Sequence, residues 1–183
     1  MSTARWSLLS KIALKARSSH CLSVTHDGLL LLYGGELEPR KPVDSAVSSS
    51  PNEEAVVAKG SVHSFAMKRE PQKTDRSWVV LAPKVTSAVP DARVGATTVW
   101  DKATESLYLW GGRGGVDMAP LNGEQVGLWK GRIDQTSSSY IEWVRLTAKN
   151  ENDSPEPRSY HAAVSFQVCV RNFCCFPLMT LNK

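Results

Sequence analysis

"LLLLYGGELEPR", residues 29–40, runs four leucines and a tyrosine straight into two glycines and a glutamate. A short apolar run suits a buried strand, and a glycine pair at its end marks backbone that turns sharply or is approached closely. A single such junction is an ordinary turn, whereas one that returns in phase is an architecture. It returns at "SLYLWGGRGG", residues 106–115, where Leu107 to Trp110 lead into Gly111 and Gly112 as Leu31 to Tyr33 lead into Gly34 and Gly35.

The flanks recur with it. "ARSSHCLSVTHDG" from Ala16 and "ARVGATTVWDKATE" from Ala92 each place an arginine, then alternating small and apolar residues, then a polar turn. Arg17 precedes Gly34 by 17 positions and Arg93 precedes Gly111 by 18. A third copy opens at "PRSYHAAVSF", where Arg158, Tyr160 and His161 repeat the spacing of Arg17, Ser19 and His20. Trp6, Trp78 and Trp143 stand 11, 15 and 15 residues before the three arginines, each in an apolar alternating context ("RWSLLS", "SWVVLAP", "EWVRLTA").

The unit is thus a strand, a turn, a strand ending in Gly-Gly, a variable connection, a third strand and a fourth carrying Trp, which is the content of one propeller blade. The pattern predicts strands at 17–25, 29–33, 62–68 and 78–81, then at 94–100, 106–110, 125–133 and 140–146. No segment reads as a long helix. The expected fold is all-β: a fragment of a propeller with two complete four-stranded antiparallel blades, an N-terminal outer strand around Trp6 and the start of a third blade.

These residues resemble the Kelch repeat family, whose hallmark is a Gly-Gly doublet followed downstream by an aromatic residue and a Trp. Gly34, Gly35 and Trp78 match it, as do Gly111, Gly112 and Trp143, with Trp6 as the outer-strand counterpart. The resemblance covers 1–166, with blade one at about 17–82, blade two at about 93–147 and a third beginning at 158. The stretch at about 38–60, rich in Ser, Pro and charge, is expected to be an exposed, mobile loop. The phrasing "ARSSHCLSV" and "LYGGEL" looks most like the branch holding the nitrile-specifier proteins and their fungal relatives. That likeness implies a six-bladed ring, iron in a full-length relative, and action on a sulfated or thiol-derived small molecule. The branch's Glu-x-x-x-Asp-x-x-x-His spacing begins at no glutamate of this chain. No metal or catalytic residue is therefore carried over.

Where the third blade's doublet is due, the sequence has Cys175 and Phe176, and residues 167–183 lack repeat character. Two readings of this tail stand: translated intron sequence, since Val-Cys can be encoded by a donor-like GTATGT, or a diverged terminal strand. Two blades alone leave apolar faces uncovered, so self-association through those faces is an expectation.

Arg17, Arg93 and Arg158 occupy one locus in successive units. Guanidinium groups recognise sulfate or carboxylate bidentately, which makes the three candidate anion contacts. The competing reading is a repeat-wide fastening, each arginine paired to backbone of its own or the neighbouring blade. His20 and His161 share a position that Ala96 fills in the middle unit, too few ligands for a metal site. Cys174 and Cys175 are adjacent and lack C-x-x-C spacing, and Cys21 reads as a small buried strand residue. A net charge of +4, with basic residues scattered, argues against nucleic acid. No apolar run approaches the ~20 residues of a membrane span. A cytoplasmic protein with protein partners is the expectation; the acid-free start "MSTARWSLLSKIALKARSSH" is also compatible with a mitochondrial presequence.

Overall fold

The structure, a computed structural model, describes residues 3–10, 14–42, 59–67, 77–115, 117–122, 125–134, 140–147, 154–165 and 179–181. Among these the protein is all-β. The strands are β1 (Cys21–Val24), β2 (Leu29–Tyr33), β3 (Glu36–Glu38), β4 (Lys41–Pro42), β5 (Val62–Ala66), β6 (Val79–Pro83) and β7 (Thr97–Asp101), followed by β8 (Ser106–Trp110), β9 (Arg113–Gly114), β10 (Ala119–Pro120), β11 (Leu128–Ile133), β12 (Tyr140–Leu146), β13 (Ala162–Val164) and β14 (Met179–Leu181).

Local chemistry fixes the tight turns. Between β1 and β2 the Thr25 hydroxyl accepts the Leu29 N–H at 2.8 Å, and Gly28 takes φ 90°. Between β7 and β8 the Asp101 carboxylate accepts both the N–H and the hydroxyl of Thr104, at 2.9 and 2.6 Å. Both are side-chain-to-backbone closures that Asp and Thr supply well.

Eight strands form one mixed sheet in the order β1-β2-β5-β6-β12-β11-β8-β7. Within it lie two antiparallel meanders, β1-β2-β5-β6 and β7-β8-β11-β12, joined where Tyr140 and Ile141 run parallel to Ala82 and Pro83. The two end strands, β1 and β7, lie side by side, so the sheet is nearly closed and barrel-like. The Ser23 and Thr98 hydroxyls share a hydrogen bond of 2.8 Å across that seam, and the Cys21 thiol donates to the Ala96 carbonyl at 3.1 Å.

Strand alternation decides which side chains meet. Cys21, Leu31, Tyr33, Val62 and Leu81 share one face of the first meander, and Leu107, Leu109, Trp129, Ile141 and Trp143 share one face of the second. With Ala96 these residues make up the buried core. The core is therefore the contact between the meanders, and neither encloses one of its own. Tyr33 meets Trp143 edge-on at 5.8 Å, and the Trp143 indole N–H donates to the Gly60 carbonyl at 2.7 Å.

The glycine doublets form the corners of this arrangement. Gly34 and Gly111 have φ 67° and 71°, and Gly35 and Gly112 have 90° and 96°. The Gly35 N–H donates to the Arg93 carbonyl at 3.1 Å, and the Gly112 N–H to the Arg158 carbonyl at 2.8 Å. A Cβ on Gly34 would stand 2.5 Å from the Arg93 oxygen, and one on Gly111 would stand 2.6 Å from the Arg158 oxygen.

Several expectations change in detail. Residues 3–10, expected as an outer strand, carry none, and Trp6 is 94% exposed; no strand edge among the described residues lies against it. The first strand begins at Cys21 rather than at residue 17, because Ser19 takes a left-handed φ of 55° that interrupts extended backbone. The hairpin β3-β4 opens the segment expected as a mobile loop, of which 43–58 lie outside the described residues. Cys175 and Phe176 also lie outside them. The tail contributes β14, antiparallel to β13.

The corner geometry sets a graded expectation. Gly34→Ala combines a disfavoured left-handed φ with collision against backbone and should cost about 2 to 4 kcal/mol of folding stability. Gly115→Ala, at φ 72° but with open space around it, should cost about 1 kcal/mol. Urea unfolding of the two variants beside the parent measures the difference, and equal costs would show that the corner contact carries no weight.

Candidate functional site

Three copies of one turn organise the candidate residues. Two positions after each arginine stand Ser19, Gly95 and Tyr160, with φ of 55°, 62° and 57°. The Gly95 N–H donates to the Ser19 carbonyl at 2.9 Å, and the Tyr160 N–H to the Gly95 carbonyl at 2.7 Å. The turns thus link head to tail across the units. Two further paired bridges anchor them: Ser18 and Glu36 exchange backbone bonds of 3.0 Å each, and Val94 and Arg113 do the same at 2.9 and 3.0 Å. The Tyr160 ring covers Gly95, and its hydroxyl lies 3.3 Å from that of Ser19.

Inside this frame the arginines differ. Arg93 is 1% exposed. Its Nε donates to the Asp91 carbonyl at 3.0 Å, one terminal nitrogen to the Gly111 carbonyl at 3.0 Å, and the other to the Gln125 side-chain oxygen at 3.1 Å. That oxygen also accepts the Asp91 N–H at 2.7 Å. Arg17 reaches the equivalent carbonyl, Gly34, at 3.5 Å, and its Nε has no hydrogen-bond partner among the described residues. Arg158 donates its Nε to the Glu156 carbonyl at 3.1 Å and lies over the Trp110 ring at 5.8 Å. The structure brings the three arginines to one repeated locus, and Arg93 spends its planar fork on the protein.

Other titratable groups follow their burial. Burial pushes the Cys21 thiol up to about 12, with the Arg93 cation pulling partly the other way, so the thiol stays protonated and inert near neutrality. Burial first, and the Arg17 cation second, hold His63 down at about 4. His161 is lowered by the same two causes, its neighbouring cation being Arg158; its Nε2 lies 3.0 Å from the Thr97 hydroxyl and its ring packs edge-on to Trp110 at 4.7 Å. Among the described residues no group of three or more His, Cys, Asp or Glu stands close enough together to hold a metal ion. Nor is any helix among them long and apolar enough to cross a membrane.

The signature tryptophans have unlike surroundings. Trp143 is buried between the meanders, whereas Trp78, just before β6, is half-buried against Phe65 at 5.2 Å. A cleft of about 400 Å³ opens beside the β9-β10 hairpin, lined by Lys59, Asp91, Gly114, Gly115, Asn122 and Gln125 among others. Lys59 and Asp91 form an ion pair in its wall. Sequence reading missed this group. Lys59, Asp91 and Gln125 lie in connections rather than at repeated positions, and the one available signal was the polar, glycine-rich stretch after the second doublet.

No known family model matches the chain, and no curated protein is significantly similar to it.

Arg93→Met removes the donors that satisfy Gly111, Asp91 and Gln125, and should destabilise by about 3 kcal/mol; Arg158→Met, more exposed, should cost about 1 kcal/mol or less. Chemical denaturation of both variants checks the order. A second expectation concerns acid. His63 is held neutral in the fold and has an ordinary value of 6.5 when unfolded, so the unfolded chain binds the extra proton first. Stability is full above about pH 6.5 and falls as pH drops toward 4. Unfolding midpoints measured at pH 7 and pH 5 should show that loss, and His63→Gln should shrink it.

Proposed function

We propose that the chain is part of a Kelch-type β-propeller and serves as a protein-binding scaffold without chemistry of its own, in the cytoplasm. The observation that carries the repeat reading is the Gly-Gly corner that donates its N–H to the next unit's arginine carbonyl, made twice with matching backbone angles. Further support comes from the side-by-side placement of β1, β7 and β13, the first strands of three successive units. Strands fanned in this way around one line leave their connections at the rims, where propellers present variable loops.

The binding reading rests on the cleft beside the β9-β10 hairpin. Its wall carries an ion pair, amide side chains and exposed glycine backbone, a surface suited to polar segments of another protein. The iron-dependent, specifier-like alternative asks the arginines to hold an anion, and Arg93 has already committed its donors to Asp91, Gly111 and Gln125.

The test is affinity capture from the source organism's extract with the full chain, compared with Asn122→Trp and Lys59→Glu, which fill the cleft and break its ion pair. A partner held by the parent and weakened about tenfold or more by both variants supports the reading. Loss of no partner in either variant, with folding intact by circular dichroism, would overturn it.

A further inference from the structure

Residues 3–10, "TARWSLLS", contribute nothing to the buried core. They carry no strand or helix, and Trp6, Leu8 and Leu9 are 94%, 81% and 45% exposed. A single exposed apolar residue is ordinary on a protein surface, and Val85, alone in a turn, is one. Trp6, Leu8 and Leu9 instead form a continuous apolar stretch, and such a stretch marks contact with another surface.

The charge of the chain gathers at the same place. From Met1 to His26 the sequence has four basic residues, Arg5, Lys11, Lys15 and Arg17, and no acid. The whole chain has 22 Lys and Arg against 18 Asp and Glu, so residues 27–183 hold 18 of each and are balanced. The entire formal charge of +4 therefore sits on the stretch that also carries the exposed Trp and Leu side chains. Arg17 ties that stretch to the folded body through the Gly34 carbonyl, and Ser18 does so through its paired bonds with Glu36, whereas Arg5 stands exposed beside Trp6. An indole, two leucines and neighbouring cations suit the boundary of an anionic bilayer. The apolar groups sink below the headgroups, the Trp ring rests where both phases meet it, and the guanidinium pairs with lipid phosphate. A second copy of the chain offers no matching attraction, because its body beyond residue 26 has no net negative charge. Residues 3–10 are far short of the ~20 that a helix needs to cross a bilayer, so the segment lies on the surface.

We propose that residues 3–10 are a peripheral membrane anchor, which inserts Trp6, Leu8 and Leu9 into the surface of bilayers rich in anionic phospholipid and sets Arg5 among the phosphates. These residues belong to neither meander, so the anchor stands or falls separately from the repeat reading.

Sedimentation of the full chain with vesicles is the test. The chain should pellet with vesicles of mixed phosphatidylcholine and phosphatidylserine, stay in solution with phosphatidylcholine alone, and be released by high salt, which screens the surface charge. The double variant Trp6→Ser with Leu8→Ser, and separately Arg5→Glu, should each weaken partitioning by about tenfold or more. Urea midpoints of both should match the parent, because the altered side chains are exposed. Tryptophan emission of the parent should shift to the blue on adding the anionic vesicles, and Trp6→Phe should lose that shift while still pelleting. A parent that binds neither vesicle, or both equally, overturns the proposal. Binding that survives Trp6→Ser with Leu8→Ser overturns it too, since the folded body would then be the part that binds. Light scattering without lipid covers the other occupant: a parent oligomer that the same double variant dissolves, together with no vesicle binding, would assign the segment to a second copy of the chain and sink the anchor.

Discussion

A backbone hydrogen bond at each glycine corner is the contact on which the rest depends. The Gly35 and Gly112 N–H groups reach the carbonyls of Arg93 and Arg158, and they do so because the glycine ahead of each leaves room where a Cβ would touch the same oxygen. That approach sets the distance between successive units, and the distance sets everything packed between them. Tyr33 can meet Trp143 edge-on, and Trp143 can find the Gly60 carbonyl, only at that separation. Arg93 braces the corner from within, holding the carbonyl of Gly111 from one side and that of Asp91 from another.

The arginines show how a repeated residue acquires unequal work. At the middle position neighbours on both sides exclude water, so the guanidinium is enclosed and each of its three nitrogens donates to the protein. At the first position the carbonyl contact is longer and one nitrogen goes without a protein partner among the described residues. At the third, the half-buried group lies over an indole face, where the cation gains a modest cation-π attraction. One sequence position therefore does different work according to which units flank it.

Much of this fold was legible in the sequence. The strands at 29–33 and 106–110 and the strand at 140–146 were readable to the residue, because an apolar run or alternation there leads straight into a glycine or a polar break. The starts of β1 and β7 were not. The left-handed turn ahead of them is announced by glycine in one copy alone, Gly95, and hidden under Ser19 and Tyr160 in the others. The β3-β4 hairpin escaped notice because so short a pairing has no periodicity to read. Of the site, the shared position of the arginines was visible, yet what they touch was not, since carbonyl acceptors carry no side-chain signature. The Trp6 segment shows the converse: its alternation suits a strand, but a strand needs an edge to pair with.

A core assembled wholly between meanders has a consequence for synthesis. Leu31 and Val62 share their core with Leu107, Ile141 and Trp143, tens of residues further along the chain. As the chain leaves the ribosome, the first meander is complete well before the second exists, and for that interval its leucine-rich face has nothing to rest on. Contacts so distant in sequence form slowly and leave apolar surface exposed meanwhile. What limits misassembly of that face is therefore chiefly how quickly residues 97–146 follow.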